Sequence, residues 1–538
     1  MNRKWWTLLA VCAGTFMLLL DVTIVVVALP EMQAALHVGF GDVEWVVDAY
    51  ALTLASLLLT TGVLADRYGR RLLFGIGLAV FTAGSLLCGL AQSPGMLIAS
   101  RSGQGAGGAV MYATSLALLG DSFRGKDRAV AFSLWGAITG AAVSLGPILG
   151  GVITSGISWR GIFLVNVPVG VAAIAVTWWR VGESRAAHPG PPDWAGFVLL
   201  TGGLLGIVYG LIRASETSWS DNGVRGCLVA GGALIAAFAA AEWRIRQPML
   251  DLRLFRIPAF TGGLLAALTM NGSLFAMFLY LVLYLQDILG YSALGTGLRL
   301  LVSTGALFAA SAIAGRLSER LPVRWLIAPG LLLTGAGLLL MHGIGSASPW
   351  THLIGGLIVA GFGAGLVNPP LASTAIGVVT PERSGMASGV NSTFRQIGFA
   401  ASIAALGSVF TASLQRDLSR VLAPVRPLAA EAPRIIALIR QGSTGRAVAV
   451  APPAYRGLLA AAVRSSFVAG VNDLLLITSI VALAGGVAAL LLIRPGDFLP
   501  RPAGGINAAS DADGREHAAR NRHGARRAGR NFAEGRRS

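Results

Sequence analysis

Two carboxylates and one guanidinium are the residues whose types and positions offer chemistry. Asp21 lies deep in the apolar run Trp5–Leu29. A carboxylate there costs about 2.5–3.5 kcal/mol on membrane-insertion scales, which argues for a function. The chemistry open to it is reversible proton binding. Burial favours the neutral acid and a nearby cation favours the carboxylate, so its proton affinity follows its surroundings. Arg101, near the start of the run Met96–Leu119, is the candidate cation. A structural ion pair between the two is the alternative, and the readings are compatible. Asp48 stands about one turn inside the run Trp45–Leu64. It is a candidate second proton carrier or an attractor of a cationic substrate, with a solvated interfacial carboxylate as the alternative. Arg299 and Arg395 also lie in or beside apolar runs, as cavity or gate residues or as side chains snorkelling to the interface.

Positioning these charges takes a membrane. Of 538 residues, 54% are hydrophobic and 12% charged, about half the charged share of a soluble protein. A transmembrane helix takes about 20 mainly apolar residues, so the composition furnishes a dozen or more spans. It excludes a soluble enzyme with one anchor, a secreted disulfide scaffold and a disordered chain, and implies an all-α polytopic membrane protein. Apolar runs mark about fourteen spans. Six precede position 180, a pair follows near Trp194–Ile212 and Gly226–Ala241, and six more end with Met386–Phe410 and Phe467–Ile493. The first run is too long for a signal peptide and carries Asp21, so it reads as an uncleaved helix. Cys12, Cys88 and Cys227 are scattered through apolar runs, and the six histidines are dispersed, so neither a disulfide framework nor a metal site is expected.

The net charge of +17 would suggest nucleic acid in a soluble chain. Here the arginines sit in short loops and a C-terminal tail, where lipid headgroups and orientation account for them. Arg67, Arg70 and Arg71 follow span two, and Arg124, Lys126 and Arg128 follow span four, whereas the opposite short loops around Glu31–Glu44, Gln92–Gly95, Asp287–Ser292 and Gly343–Pro349 lack Lys and Arg, with Arg213 and Arg225 as exceptions on that side. Positive-inside then places both termini in the cytoplasm. Residues 411–466 read as a long external loop with short amphipathic helices. The tail from Arg501 reads as disordered and cytoplasmic, for want of large apolar residues.

An internal repeat organises the runs. Gly62-Val-Leu-Ala-Asp-Arg-Tyr-Gly-Arg-Arg-Leu-Leu73 aligns with Gly315-Arg-Leu-Ser-Glu-Arg-Leu-Pro-Val-Arg-Trp-Leu326 at an offset of 253. Two parallel six-helix bundles with two inserted central helices explain that distance. The expected divisions are 1–185 for the first bundle, 186–257 for the inserted pair, 258–498 for the second bundle and 499–538 for the tail.

The loop Gly62–Arg71, with its Gly-x-x-x-Asp-Arg-x-Gly-Arg spacing, resembles the signature between the second and third helices of the major facilitator superfamily. Leu20-Asp-Val-Thr-Ile-Val-Val-Val-Ala-Leu-Pro30 is similar to the first-helix signature of that family's fourteen-span drug:proton antiporters. Trp45-Val-Val-Asp-Ala-Tyr-Ala-Leu52, Arg101-Ser-Gly-Gln-Gly-Ala-Gly-Gly108 and Gly146-Pro-Ile-Leu-Gly-Gly151 resemble its second, fourth and fifth helices. Trp159–Pro168 and Gly385–Gln396 resemble further stretches of the branch. Val26 departs from the pattern, which usually has Asn there.

The resemblance implies a conformational latch at Gly62, Asp66, Arg67, Gly69, Arg70 and Arg71. It also implies an antiporter motif at Gly146, Pro147, Gly150 and Gly151, proton coupling through Asp21, Asp48 and Arg101, and cavity or gate positions at Gln104, Asn391 and Arg395. The expected function is proton-coupled export of amphipathic, cationic or neutral organic compounds across the cytoplasmic membrane by alternating access. The alternatives are a narrow exporter of one metabolite or antibiotic, and a non-transporting sensor on the same scaffold. No enzymatic activity and no cofactor are expected. With Lys only at positions 4 and 126, the chain has no Walker A loop, so the proton gradient is the expected energy source. One charge crossing 100 mV supplies about 2.3 kcal/mol.

Overall fold

The computed structural model describes residues 2–498 apart from 124, 186–192, 218, 246–249, 319, 380–383 and parts of 426–449. The tail expected from 499 lies outside the described residues. Fourteen long helices run through the described residues, which hold no strand. In chain order they are α1 (Arg3–Leu36), α2 (Phe40–Tyr68), α3 (Arg70–Gly89), α4 (Pro94–Ser122), α5 (Gly125–Gly156), α6 (Gly161–Arg180) and α7 (Trp194–Glu216). There follow α8 (Asn222–Arg244), α9 (Pro258–Ile288), α10 (Ala293–Leu317), α11 (Arg324–Leu340), α12 (Ile354–Gly377), α13 (Ser384–Leu422) and α14 (Arg456–Leu492).

Ten of the helices are long and apolar enough to cross a membrane, and α5 makes eleven if its two bent halves count as one span. α11 is apolar but has only 17 residues. α4 falls short because Arg101, Gln104 and many glycines and serines dilute its hydropathy. The same residues give α4 its chemistry. Side chains start several helices by accepting an orphan backbone N–H: Ser93 from Met96, Asp193 from Gly196, Asp221 from Val224 and Ser292 from Gly295.

Helix pairing repeats between the halves. In the first half α1 packs on α4, α5 and α6, α3 on α4 and α6, and α2 on α4. In the second half α9 packs on α12, α13 and α14, α11 on α12 and α14, and α10 on α12. Each pairing recurs eight helices later. The halves meet along two seams, α2 with α13 and α5 with α10, which pair the second helix of one half with the fifth of the other. The inserted helices α7 and α8 pack on each other, and α7 also covers the α2–α13 seam.

The structure departs from the sequence reading between 411 and 466. Both flanking helices continue into that segment, α13 to Leu422 and α14 from Arg456. Leu414, Leu418 and Leu422 recur every four residues on one face of α13 and bury against Leu459, Ala462 and Val463 of α14, with Leu428 and Ile435 between. This small apolar core holds the extended ends together.

The α5–α10 seam depends on missing side chains. Pro147 removes a backbone donor, and α5 bends by 43° between Leu134–Val143 and Leu145–Gly156, three residues before the proline ring. A Cβ at Gly146 would strike Thr23 and one at Gly150 would strike the Ile24 carbonyl, so this face lies on α1. The other face lies on α10, where a Cβ at Gly151 would meet Ala293 and Leu294 and one at Gly297 would come 2.1 Å from the Pro147 carbonyl oxygen. Backbone resists such a clash, so Gly297→Ala should cost about 1–3 kcal/mol as an overpacked contact. The expected result is a lowered Tm in detergent, with Gly305→Ala on the same helix, which has no neighbour within 4 Å, leaving Tm unchanged.

Candidate functional site

Four helices of the first half converge on Asp21. Its carboxylate is fully buried and pairs with Arg101, itself 1% exposed, across 2.5 Å. The other oxygen accepts from Gln104 Nε2 at 2.9 Å and Asn166 Nδ2 at 3.3 Å. The Ser85 hydroxyl accepts from Gln104 at 3.2 Å and from Asn166 at 3.0 Å, while donating to the Phe163 carbonyl at 2.9 Å. α1, α3, α4 and α6 therefore each contribute a polar group to one closed network.

Arg101 ties this network to α2. Its Nε donates to the Val46 carbonyl at 2.9 Å, Nη1 also donates to Gln104 Oε1 at 2.9 Å, and the guanidinium lies 4.2 Å from the centre of the Tyr50 ring. Arg101 and Gln104 are three residues apart and share a helix face, which is how both reach one carboxylate. The sequence reading placed Gln104 in a cavity or gate, and the structure joins it to Asp21. It did not single out Ser85, Tyr50 or Asn166. Asn166 carried a signal, as a polar residue in the stretch Trp159–Pro168, whereas Ser85 is an ordinary residue for a membrane helix.

Asp48 is corrected on one point. It is not a solvated interfacial carboxylate: it is fully buried, and neither oxygen has a hydrogen-bond partner among the described residues. It lies two residues from Val46 and from Tyr50, roughly 200° around the helix, so it faces away from Arg101.

The latch loop turns at Gly69, whose φ of +124° favours glycine and whose Cβ would strike the Glu183 carboxylate. Glu183 accepts from the backbone N–H groups of Arg71 at 3.0 Å and Leu72 at 3.2 Å, and lies 3.7 Å from Arg71 Nε. An acidic side chain there satisfies orphan donors and the positive end of the α3 dipole. The Arg70 N–H donates to the Ser184 carbonyl at 2.9 Å, and the Arg71 guanidinium lies 5.7 Å from the Trp178 ring centre. The loop is thus docked on the end of α6 by Glu183, a residue the sequence reading missed. The Asp66 side chain lies outside the described residues, Gly62 is half-buried within α2, and Arg67 is exposed over the Tyr68 ring.

The remaining candidates lie apart from Asp21. Arg299 donates to the Gly295 carbonyl at 2.8 Å and is clamped 3.5 Å from the Tyr291 ring centre and 5.0 Å from that of Trp350. This holds it at the start of α10. Arg395 on α13 donates to the Asn368 carbonyl at 3.4 Å, and Asn391, one turn earlier, is buried with an unpartnered Oδ1. Gly146, Pro147, Gly150 and Gly151 form the junction of α1, α5 and α10, two residues beyond Asp21 along α1.

A family profile described as Major Facilitator Superfamily matches residues 11–403. The chain belongs to that superfamily. It is 32% identical over 499 residues to a tetracenomycin C resistance and export protein of Streptomyces glaucescens, covering 91% of each chain. It is 36% identical over 420 residues to the multidrug resistance protein Stp of Mycobacterium tuberculosis, covering 78% of each, and 35% identical over 411 residues to a methylenomycin A resistance protein of Streptomyces coelicolor, covering 76% of this chain and 86% of that one. Among solved structures it resembles an inward-facing, occupied bacterial homolog of the human lysosomal transporter Spinster, with a TM-score of 0.61 at 15% identity over 94% of this chain and all of that one. A human organic anion transporter matches with a TM-score of 0.56 at 16% identity over 90% of this chain. Superfamily membership and fold make this chain a multi-pass membrane transporter.

Removing one partner of a buried ion pair costs about 3–5 kcal/mol, because the other is left uncompensated. Arg101→Met should destabilise the purified protein on that scale in thermal unfolding. Adding Asp21→Asn should restore most of the loss.

Proposed function

We propose that the chain is a proton-coupled antiporter that exports small organic compounds, drugs or antibiotics among them, across the cytoplasmic membrane with both termini in the cytoplasm. The single observation that carries this reading is the Asp21–Arg101 pair, which joins α1 to α4, is buried in the wall of one half and is hydrogen-bonded to two further helices, α2 and α6. Proton binding at Asp21 cancels the charge that holds Arg101. Arg101 is what ties α4 to the Val46 carbonyl of α2, so a proton on α1 alters the packing of a seam helix. Next to Asp21, Thr23 and Ile24 rest on the glycine face of α5, the other seam helix. Proton occupancy therefore reaches both seams over short distances, which is what alternating access between two halves requires. The relatives named for resistance or export support small organic substrates. Some are named for one antibiotic and one for many drugs, so a narrow exporter remains the second reading.

The test uses everted membrane vesicles carrying the full chain, an imposed pH gradient and a panel of tetracenomycin C, methylenomycin A and ethidium. Substrate uptake driven by the gradient is expected, and Asp21→Asn should abolish it while membrane insertion is kept, with a lowered Tm because Arg101 loses its counter-charge. Unchanged gradient-driven uptake in that variant would sink the proton-carrier role. The number of panel members moved separates a multidrug pump from a narrow exporter.

A further inference from the structure

The face of α2 turned away from Arg101 holds a second pair of carboxyl groups. Glu44 and Asp48 are four residues apart, hence neighbours on one helix face. Both are buried at the α2–α13 seam: Glu44 is 2% exposed, and a Cβ at Gly407 of α13 would meet its carboxylate. The second half supplies a donor. The Tyr280 hydroxyl of α9 donates to Glu44 Oε1 at 3.1 Å and lies 3.4 Å from the Ile403 carbonyl. Tyr280 stands between two π-helical turns of α9, Asn271–Phe275 and Tyr284–Ile288, and its ring packs 5.5 Å from that of Phe410.

Among the described residues, Asp48 itself accepts nothing at either oxygen. The charged and titratable groups on neighbouring helices are committed elsewhere. Arg101 of α4 serves Asp21, Gln104 and Val46. Tyr209 of α7 stacks on Trp45 and its hydroxyl accepts from Arg213. Arg395 of α13 reaches Asn368, and Arg71 of α3 is on Glu183 at the other end of α2. An ionised carboxylate with no water and no donor is strongly disfavoured, and a neutral acid is not.

We propose that Asp48, with Glu44 and Tyr280, forms a second proton-binding site, distinct from Asp21, which takes up a proton as the α2–α13 seam closes and releases it as the seam opens. The Tyr280–Glu44 hydrogen bond crosses between the halves, so closing the seam both excludes water from Asp48 and adds this link. Opening breaks the link and hydrates Asp48, which then ionises. The proposal deepens the proton-coupled reading above and rests on it. It implies that two protons bind per cycle, one inside the first half and one at its boundary with the second.

The experiment is infrared difference spectroscopy of the full-length protein in phosphatidylethanolamine–phosphatidylglycerol vesicles, with pH as the only variable. The wild type should show the carbonyl-stretch band of a protonated carboxyl without a hydrogen-bond donor. That band should be lost in Asp48→Asn, kept in Asp21→Asn, and moved in frequency in Asp48→Glu, which retains a carboxyl if Asn is not tolerated. Tyr280→Phe removes the link across the seam, hydrates Asp48 more often and so should lower the pH midpoint at which the band disappears. Survival of the band in Asp48→Asn, an unmoved band in Asp48→Glu, or an unmoved midpoint in Tyr280→Phe would each overturn the second site. Failure of the antiporter reading shows separately, as the absence of gradient-driven uptake by the wild type.

Discussion

Everything in the first half is arranged to keep one ion pair in an apolar interior. Two charges taken out of water regain their hydration only if each lone pair and each N–H finds a partner. Asp21 and Arg101 find theirs in each other, in Gln104 and Asn166 and in the Val46 carbonyl, with the Tyr50 ring lying over the guanidinium. Such short bonds require close backbones. A Cβ at Gly84 would press on the Gln104 backbone, and one at Gly105 would strike Thr53 and the Tyr50 carbonyl, so α3 and α2 can approach α4 only over glycine. The glycine-rich composition of α4 follows from its polar residues, since the helices that satisfy Arg101 and Gln104 must come within hydrogen-bond reach.

Two helices carry the consequences of that pair to the second half, and each does so with opposite faces. α2 turns Val46 and Tyr50 toward Arg101 and turns Glu44 and Asp48 toward α13 and α9. α5 turns Gly146 and Gly150 toward α1 and turns Pro147 and Gly151 toward α10. Inter-half hydrogen bonds lie near these faces, from Gln286 to the Val27 carbonyl at 2.9 Å and from the Leu294 N–H to Ser155 at 3.1 Å. A helix that packs on the charged cluster with one face and on the other half with its opposite face needs no long pathway. A shift of the cluster displaces the seam directly, because close-packed contacts cannot deform smoothly.

Much of this was legible in the sequence because the membrane restricts the choices. A charge inside an apolar run has few explanations, so Asp21 and Arg101 stood out singly, whereas Gln104 was expected in a cavity or gate and not beside Asp21. The repeat between Gly62–Leu73 and Gly315–Leu326 announced two halves, and the structure realises it as recurring helix pairs. What stayed hidden was set by tertiary proximity. Ser85 and Tyr50 are ordinary residues for a membrane helix until folding brings them to Asp21. Glu183 gains its role only because the α6 end returns beside the α2–α3 loop. The helical continuation of α13 beyond 410 was also concealed, since its leucines alternate with charged residues that read as a loop until α14 covers them.

The repeat also shows where the two halves have parted. At offsets of 253 to 256, Asp21 corresponds to the stretch between Leu274 and Met277, and Arg101 to that between Ile354 and Leu357. The second half therefore has apolar residues where the first has its ion pair, and Leu274, Met277 and Leu357 are all buried. Its polar groups lie elsewhere, at Tyr280 on a helix interrupted by π turns and at Asn391 and Arg395 on α13. Equal frames with unequal charge give the halves different tasks. On the function proposed above, the half that holds the ion pair takes up the proton, and the other half meets it through contacts at the seams. On that reading, coupling runs from the half with the ion pair to the other through α2 and α5. The pseudo-symmetry accounts for the two seams, and its breakage leaves the buried ion pair on one side of them.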